Sequence, residues 1–309
     1  VTGAATTTVA VYVCTYQRNG PLRTLLASMV EAAAAVAPRV RVGLVVVDDN
    51  PDGRAREVAD EFEGRFGAGV HYRHVGSRNI AIARNVGLEA GVEVGDWVAM
   101  TDDDCEVSPQ WLAALLDVQE RTGAEVVTGP LEHRLPPEAP AWLRDQPFST
   151  AGLWSAPDGA IVEKAQTHNS MISSAWLRAH PEVRFDPKLG TLGGEDMDFY
   201  RRARAEGLTI AWSAGAVVHA VEPLDRTTFR FVVGRFYWLG NTEYVTNHVA
   251  GVAPARLFVR GARHALASAL RPFARLLRGS SPQWRYAAAR LAQYGGLMAG
   301  AFGVRVAHH

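Results

Sequence analysis

The sequence predicts an α/β protein with a mainly parallel central sheet, helices on both faces of that sheet, and a helical extension at the C-terminus. Three observations predict it. Through the first half, short valine-rich apolar runs alternate with amphipathic stretches, the pattern of buried strands joined by crossover helices. Polar clusters sit directly after those runs, at the carboxyl ends of the strands, where open sheets of this kind bind ligands. Beyond Thr227 the strand-like runs stop and helical spacing takes over. The boundary follows: residues 1–225 form the α/β domain and 226–309 the extension.

Val9–Val13 is the first predicted strand, and a helix follows from Pro21 to Val36 with proline near its start. Val42–Val47 is the second strand, stopped by Asp48-Asp49-Asn50-Pro51-Asp52-Gly53. A helix to Phe66, a strand at Val70–Val75, a helix at Ile80–Ala90 and a strand at Trp97–Met100 complete the alternation. Pro109 opens another helix, and Glu125–Gly129 is the next strand. Between Leu131 and Asp158 the periodicity fails among Pro136, Pro137, Pro140, Pro147 and Pro157, which predicts a loop-rich insertion whose Trp142 and Trp154 cover a site. Thr167–Ser173 is expected as a strand, Gly193-Gly194-Glu195-Asp196 opens a helix running to about Ala205, and Ile210–Trp212 and Ala216–Val218 are expected as short strands. The C-terminal helices should break near Gly251–Pro254 and Gly279–Pro282.

An apolar fraction of 48% and a charged fraction of 21% suit a globular chain with a real core. Net charge is zero but unevenly spread: Glu243 is the last carboxylate, and nine arginines follow it, from Arg256 to Arg305. This block either packs on the body or meets an anionic surface, so peripheral membrane contact and a homodimer through the C-terminal helices are both open. Few aromatics interleave with its charges, which argues against nucleic acid. Two cysteines, Cys14 and Cys105, make no disulfide framework, and no basic leader or long apolar run is present, so a cytoplasmic location is expected.

Four clusters could carry chemistry. Asp102-Asp103-Asp104 repel one another at a strand end, which suits either a solvated, helix-capping turn or a divalent cation. Asp48 and Asp49 either favour a helix start or accept the N3–H of a pyrimidine. Arg78 and Arg84 could contact phosphates or lock the aspartates in place. Glu195 and Asp196 follow Gly193-Gly194 at a helix start, where one carboxylate could remove a proton from a hydroxyl, or simply cap the helix. His219 is either structural or a nitrogen ligand to a metal. His168, Asn169 and Trp154 could line an acceptor pocket.

In this order the clusters resemble the inverting glycosyltransferases of family 2, whose fold is called GT-A, over Val9 to Tyr244. Cys14-Thr15-Tyr16-Gln17-Arg18 is similar to the family's first-strand segment, Ala83-Arg84-Asn85 to its Ala-Arg-Asn, Asp102-Asp103-Asp104 to its metal motif and Glu195-Asp196 to its catalytic pair. The resemblance implies that Thr15, Tyr16, Arg18 and Asp49 hold the nucleotide and that Asp103 contacts the ribose or donor sugar. It further implies that Asp104, helped by Asp102 and His219, binds Mn²⁺ or Mg²⁺, and that Asp196 is the base. Cys14 departs from the hydroxyl residue often found there. The implied donor is a nucleoside-diphosphate sugar, UDP or dTDP favoured, and the acceptor a hydroxyl of a saccharide, glycolipid or secondary metabolite. A sugar-phosphate nucleotidyltransferase is the enzymatic alternative, although the glycine-rich phosphate loop is missing. A non-catalytic nucleotide-sugar-binding protein is the other alternative.

Overall fold

The computed structural model describes residues 6–148 and 154–307, so residues 149–153 of the expected insertion and 1–5 of the N-terminal stretch lie outside the described residues. The chain divides into two compact units. The first comprises 1–132, 153–190 and 195–221, and the second 133–152, 191–194 and 222–309.

The first unit is built on a seven-stranded sheet. Its strands are β1 (Thr7–Thr15), β2 (Val40–Asp48), β3 (Val70–His74), β4 (Trp97–Asp102), β6 (Val126–Thr128), β8 (Ser170–Ser173) and β9 (Ile210–Trp212), in the order β3-β2-β1-β4-β8-β6-β9. The first four are mutually parallel, β8 runs antiparallel to both neighbours, and β9 is parallel to β6. A second sheet of three strands, β5 (Cys105–Val107), β7 (Leu131–Arg134) and β10 (Val218–Val221), has the order β5-β10-β7.

The central strands are apolar at nearly every position because both of their faces are covered. Val9, Val11, Val13, Leu44 and Val46 point to one face and join a core with α1 (Asn19–Val36) and α4 (Trp111–Thr122). Tyr12, Val45 and Val47 point to the other, packing with α3 (Ile80–Val94), α6 (Ser174–Ala179) and α7 (Glu195–Ala205). Helix α1 supplies Leu22, Leu25, Leu26 and Met29 at helical spacing, each worth roughly 2 kcal/mol of apolar burial. Asn79 caps α3 by accepting from the N–H groups of Ala81 and Ile82. Helix α3 lies tight on β1 because Gly87 has no side chain: a Cβ there would meet the Tyr12 ring at 2.6 Å.

Several expectations shift. The helix foreseen up to Phe66 is only α2 (Arg56–Asp60); beyond it the chain closes tighter turns, Phe62 N–H to the Ala59 carbonyl and Glu63 N–H to that of Asp60, and Gly64 then sits at positive φ. The strand foreseen from Thr167 starts at Ser170, after a 3-10 turn, and the one foreseen at Ala216–Val218 lies at Val218–Val221. Strands β5 and β7 and helix α6 fall on runs too short to carry a period.

The second unit contains α5 (Ala141–Arg144), α8 (Phe229–Val249), α9 (Pro254–Leu277) and α10 (Trp284–Gly300). Helices α8 and α10 cross closely at Gly240, where a Cβ would run into the carbonyl of Gln293. The predicted breaks stand: α9 begins at Pro254 and α10 two residues after Pro282. Much of the expected insertion belongs here. Ala139 and Leu143 pack with Val232, Phe236, Tyr286 and Ala289, while Trp142 lies edge-on to Phe148 and Phe229. Trp142 is therefore a packing residue of this unit, which corrects its expected role over a sugar.

Asn169 also moves. The sequence places it against an acceptor, but it is fully buried, and its amide joins three segments. It accepts from the Trp111 indole at 2.8 Å and donates to the carbonyls of Pro130 at 2.9 Å and Ala216 at 2.7 Å. A side chain with no accessible surface touches no substrate. Replacing it with alanine leaves the buried Trp111 N–H and the Ala216 carbonyl unpaired, while the Pro130 carbonyl keeps the Val218 N–H, so Asn169→Ala should lose about 3 kcal/mol of stability. Urea denaturation followed by circular dichroism measures this, and a loss below about 1 kcal/mol would refute the assigned role.

Candidate functional site

The strand register lines up the polar clusters. Thr15 sits opposite Asp48 and Cys14 opposite Asp102, so the carboxyl ends of β1, β2 and β4 form one row. After β1 the chain turns through Gln17, at φ 56°, and Arg18 precedes α1.

Arg18 and Thr15 organise the aspartate triplet. Arg18 Nη1 donates to Asp103 Oδ1 and to Asp104 Oδ2, both at 2.9 Å, and Thr15 Oγ1 donates to Asp103 Oδ2 at 2.8 Å. Burial pushes the Asp103 carboxyl up to about 6 against the opposing pull of Arg18. Burial alone would lower the pKa of Arg18, but Asp103 and Asp104 more than offset it, so the guanidinium stays charged. Asp103 is thus buried beneath its two partly exposed neighbours, and its expected contact with a ribose or sugar gives way to a bond with Arg18.

Arg84, on α3, does the same on the other side. Buried among apolar neighbours, it donates to Glu195 at the start of α7 and to Asp102 Oδ1 at 3.1 Å. Burial disfavours its charge, yet Glu195 and Asp102 outweigh that and raise its pKa. Of the two sequence readings for Arg84, the lock on the carboxylates is the one the structure shows. Asp196, next to Glu195, is partly accessible, and burial, reinforced by the Glu195 charge, pushes its pKa up to about 6.

The pair after β2 holds loops. Asp48 is fully buried and accepts from the N–H groups of Asn50 at 2.9 Å and Ala55 at 2.7 Å and from the Tyr72 hydroxyl at 2.9 Å. No accessible surface remains for a nucleotide, which corrects its expected ligand contact. Asp49 accepts from the N–H groups of Ser77 at 2.6 Å, Arg78 at 3.0 Å and Asn79 at 2.8 Å, and from the Ser77 hydroxyl at 2.7 Å. It shapes the loop that carries Arg78, which is exposed and at φ 55°. Tyr16 is exposed after β1. The sequence reading misses Ser77, Asn79 and Tyr72, although the Asn79 cap before Ile80 is a readable signal.

Among the described residues no three His, Cys, Asp or Glu side chains gather as a ready cation cage. The donor set nevertheless suits a hard cation: Asp102 and Asp104 are carboxylates 42% and 29% exposed at the same turn, and Mg²⁺ or Mn²⁺ commonly takes one or two carboxylates with phosphate oxygens and water. His219 lies on β10, two residues before Val221, whose N–H reaches the Asp104 carbonyl at 3.3 Å. Its Nδ1 is 3.3 Å from Glu132. His168 is half-buried in the 3-10 turn, and Trp154 packs on Trp212 with ring centroids 4.4 Å apart. Cys14 and Cys105 are free thiols, both pushed up by burial.

Comparison with known proteins places this geometry. Residues 10–179 match the family described as Glycosyl transferase family 2. The chain is 34% identical over 234 residues to the succinoglycan biosynthesis protein ExoM of Rhizobium meliloti, covering 75% of this chain and 72% of that protein. It is 33% identical over 245 residues to the glucosyl-dolichyl phosphate glucuronosyltransferase of Haloferax volcanii, covering 77% and 76%. Residues 1–349 of S. aureus TarS, solved with UDP, share the fold with a TM-score of 0.52 at 14% identity, covering 96% of this chain and 91% of that one. The same protein with UDP-GlcNAc gives 0.52 at 13% identity, covering 95% and 91%.

Arg84 is the side chain that pairs the buried Glu195 charge. Arg84→Gln should lower stability by about 3–5 kcal/mol, because Glu195 keeps a buried, unpaired charge. Adding Glu195→Gln should restore part of the loss, and a double-mutant cycle in urea measures the coupling. Strictly additive effects would contradict the buried pairing.

Proposed function

Because the chain belongs to glycosyl transferase family 2, we propose that it transfers a sugar from a UDP-linked donor to a hydroxyl of a saccharide acceptor, with inversion at the anomeric carbon. Family membership sets aside both nucleotidyl transfer and a non-catalytic binding role. The single observation that carries the finer reading is Asp196: a partly accessible carboxylate, pKa near 6, beside the carboxylate row at the strand ends. A base poised at that value is ionised at neutral pH and still accepts a proton.

Asp196 takes the proton from the acceptor hydroxyl as its oxygen attacks the anomeric carbon. The new C–O bond forms on the face opposite the diphosphate, the old C–O bond breaks, and the electron pair leaves with the nucleotide. Asp102 and Asp104 would hold Mn²⁺ or Mg²⁺. That ion, when bound, supplies positive charge against the departing diphosphate. Thr15 fixes Asp103, and Asp103 fixes Arg18, which keeps the aspartate triplet in register. Glu195 is a positioning residue, acting through Arg84. Tyr16 and Arg78 remain exposed for the nucleotide, on the loop ends that Asp49 and the β1 turn define.

The UDP assignment draws support from the TarS complexes, which share the fold. A saccharide acceptor draws support from the relatives, one named for succinoglycan biosynthesis and one for glucosyl-dolichyl phosphate.

Asp196→Asn should lower kcat by about 10²–10⁴-fold while leaving UDP affinity within about twofold. In the unmodified enzyme the rate should fall as pH drops through about 6, because the protonated carboxyl cannot accept a proton. NMR of the product from an α-linked donor should show a β-linkage. A product of retained configuration would overturn the direct-displacement mechanism.

A further inference from the structure

Helix α9 presents an outward apolar stripe that the described residues of its unit leave largely exposed. Val259, Leu266, Leu270, Phe273 and Leu277 fall, at 3.6 residues per turn, within a band about 60° wide. All five are more than half exposed, Leu277 reaching 90%. The opposite face is occupied: Leu257, Gly261 and Pro272 are buried, and Gly261 abuts Met298 of α10. Exposed aromatic pairs extend the stripe at both ends, Phe258 edge-on to Phe302 at 5.7 Å and Phe273 edge-on to Trp284 at 5.2 Å.

Charge lies along one margin. Arg256, Arg263, Arg271 and Arg278 are exposed, and on the helical wheel all four fall to the same side of the apolar band. No Asp or Glu occurs after Glu243. A second copy of the chain docking antiparallel through this stripe by a two-fold axis would bring one arginine margin near its own image, and in either orientation α9 and α10 offer no carboxylate to pair with the arginines. An anionic lipid surface answers both features, because headgroup phosphates meet the arginines and acyl chains meet the stripe. No helix among the described residues is long and apolar enough to cross a membrane, so a helix of this kind lies in the interface plane.

We propose that α9, with Trp284 and Phe302 beside it, is a membrane-surface anchor that seats the protein on anionic lipid. The proposal rests on the second unit alone and is independent of donor, acceptor or catalytic assignment.

Flotation of the full chain with vesicles tests it, without any nucleotide or sugar present. The protein should float with vesicles of phosphatidylcholine containing about 30% phosphatidylglycerol, and stay in solution with phosphatidylcholine alone. Leu266→Glu with Leu277→Glu should abolish flotation. Arg263→Glu with Arg278→Glu should reduce partitioning by at least about tenfold. These side chains are exposed, so circular dichroism should show unchanged folding for both variants. Failure of the unmodified, folded chain to float would overturn the proposal. So would a dimer in analytical ultracentrifugation that only the Leu266→Glu, Leu277→Glu variant abolishes, since that outcome assigns the stripe to a second copy.

Discussion

Two guanidinium groups hold this site together. Arg84 lies buried between Glu195 and Asp102, and Arg18 bridges Asp103 and Asp104. Without them, five carboxylates contributed by the end of β4, the turn after it and the start of α7 would repel one another, and the loop and helix starts that carry them could not converge. The balance is incomplete: two positive charges face Asp102, Asp103, Asp104, Glu195 and Asp196, which leaves an excess of negative charge. Burial pushes the Asp103 and Asp196 carboxyls up to about 6, which still leaves both ionised at neutral pH. If this anionic site takes the diphosphate of the proposed donor it needs a cation, and that is the physical ground for proposing Mn²⁺ or Mg²⁺ at Asp102 and Asp104.

The sheet is legible in the sequence because valine-rich runs buried on both faces have no other common explanation, and because the polar clusters begin where those runs end. The arginine locks are half legible. Arg84 has two readings, and only its burial against Glu195 decides between them. Asp48 and Asn169 are not legible. A carboxylate after a strand looks the same in sequence whether it accepts from a ligand or from the N–H groups of its own loop. Asp48 does the second, closing the turn from Asn50 to Ala55. Asn169 next to His168 suggests a polar pocket, but three partners from distant segments draw its amide into the core.

The tryptophans carry a similar lesson. An indole serves equally as a sugar platform or as core, and sequence spacing does not separate these. Trp142 packs, partly buried, against the core of the helical unit, and Trp154 packs on Trp212. The proline-rich insertion fails the periodicity test because it is divided: part of it packs as a short helix and aromatic cluster in the second unit, while Leu131 and Glu132 belong to strand β7. Irregular spacing there reflects two packing environments.

The most direct test of the central claim is calorimetric titration of UDP into the protein, first with Mn²⁺ and then with EDTA, repeated for Asp104→Ala. The carboxylate site accounts for a nucleotide that binds in Mn²⁺, weakens by at least about tenfold in EDTA and loses its metal dependence when Asp104 is removed. Equal affinity for UDP in Mn²⁺ and EDTA, unchanged in Asp104→Ala, would contradict it.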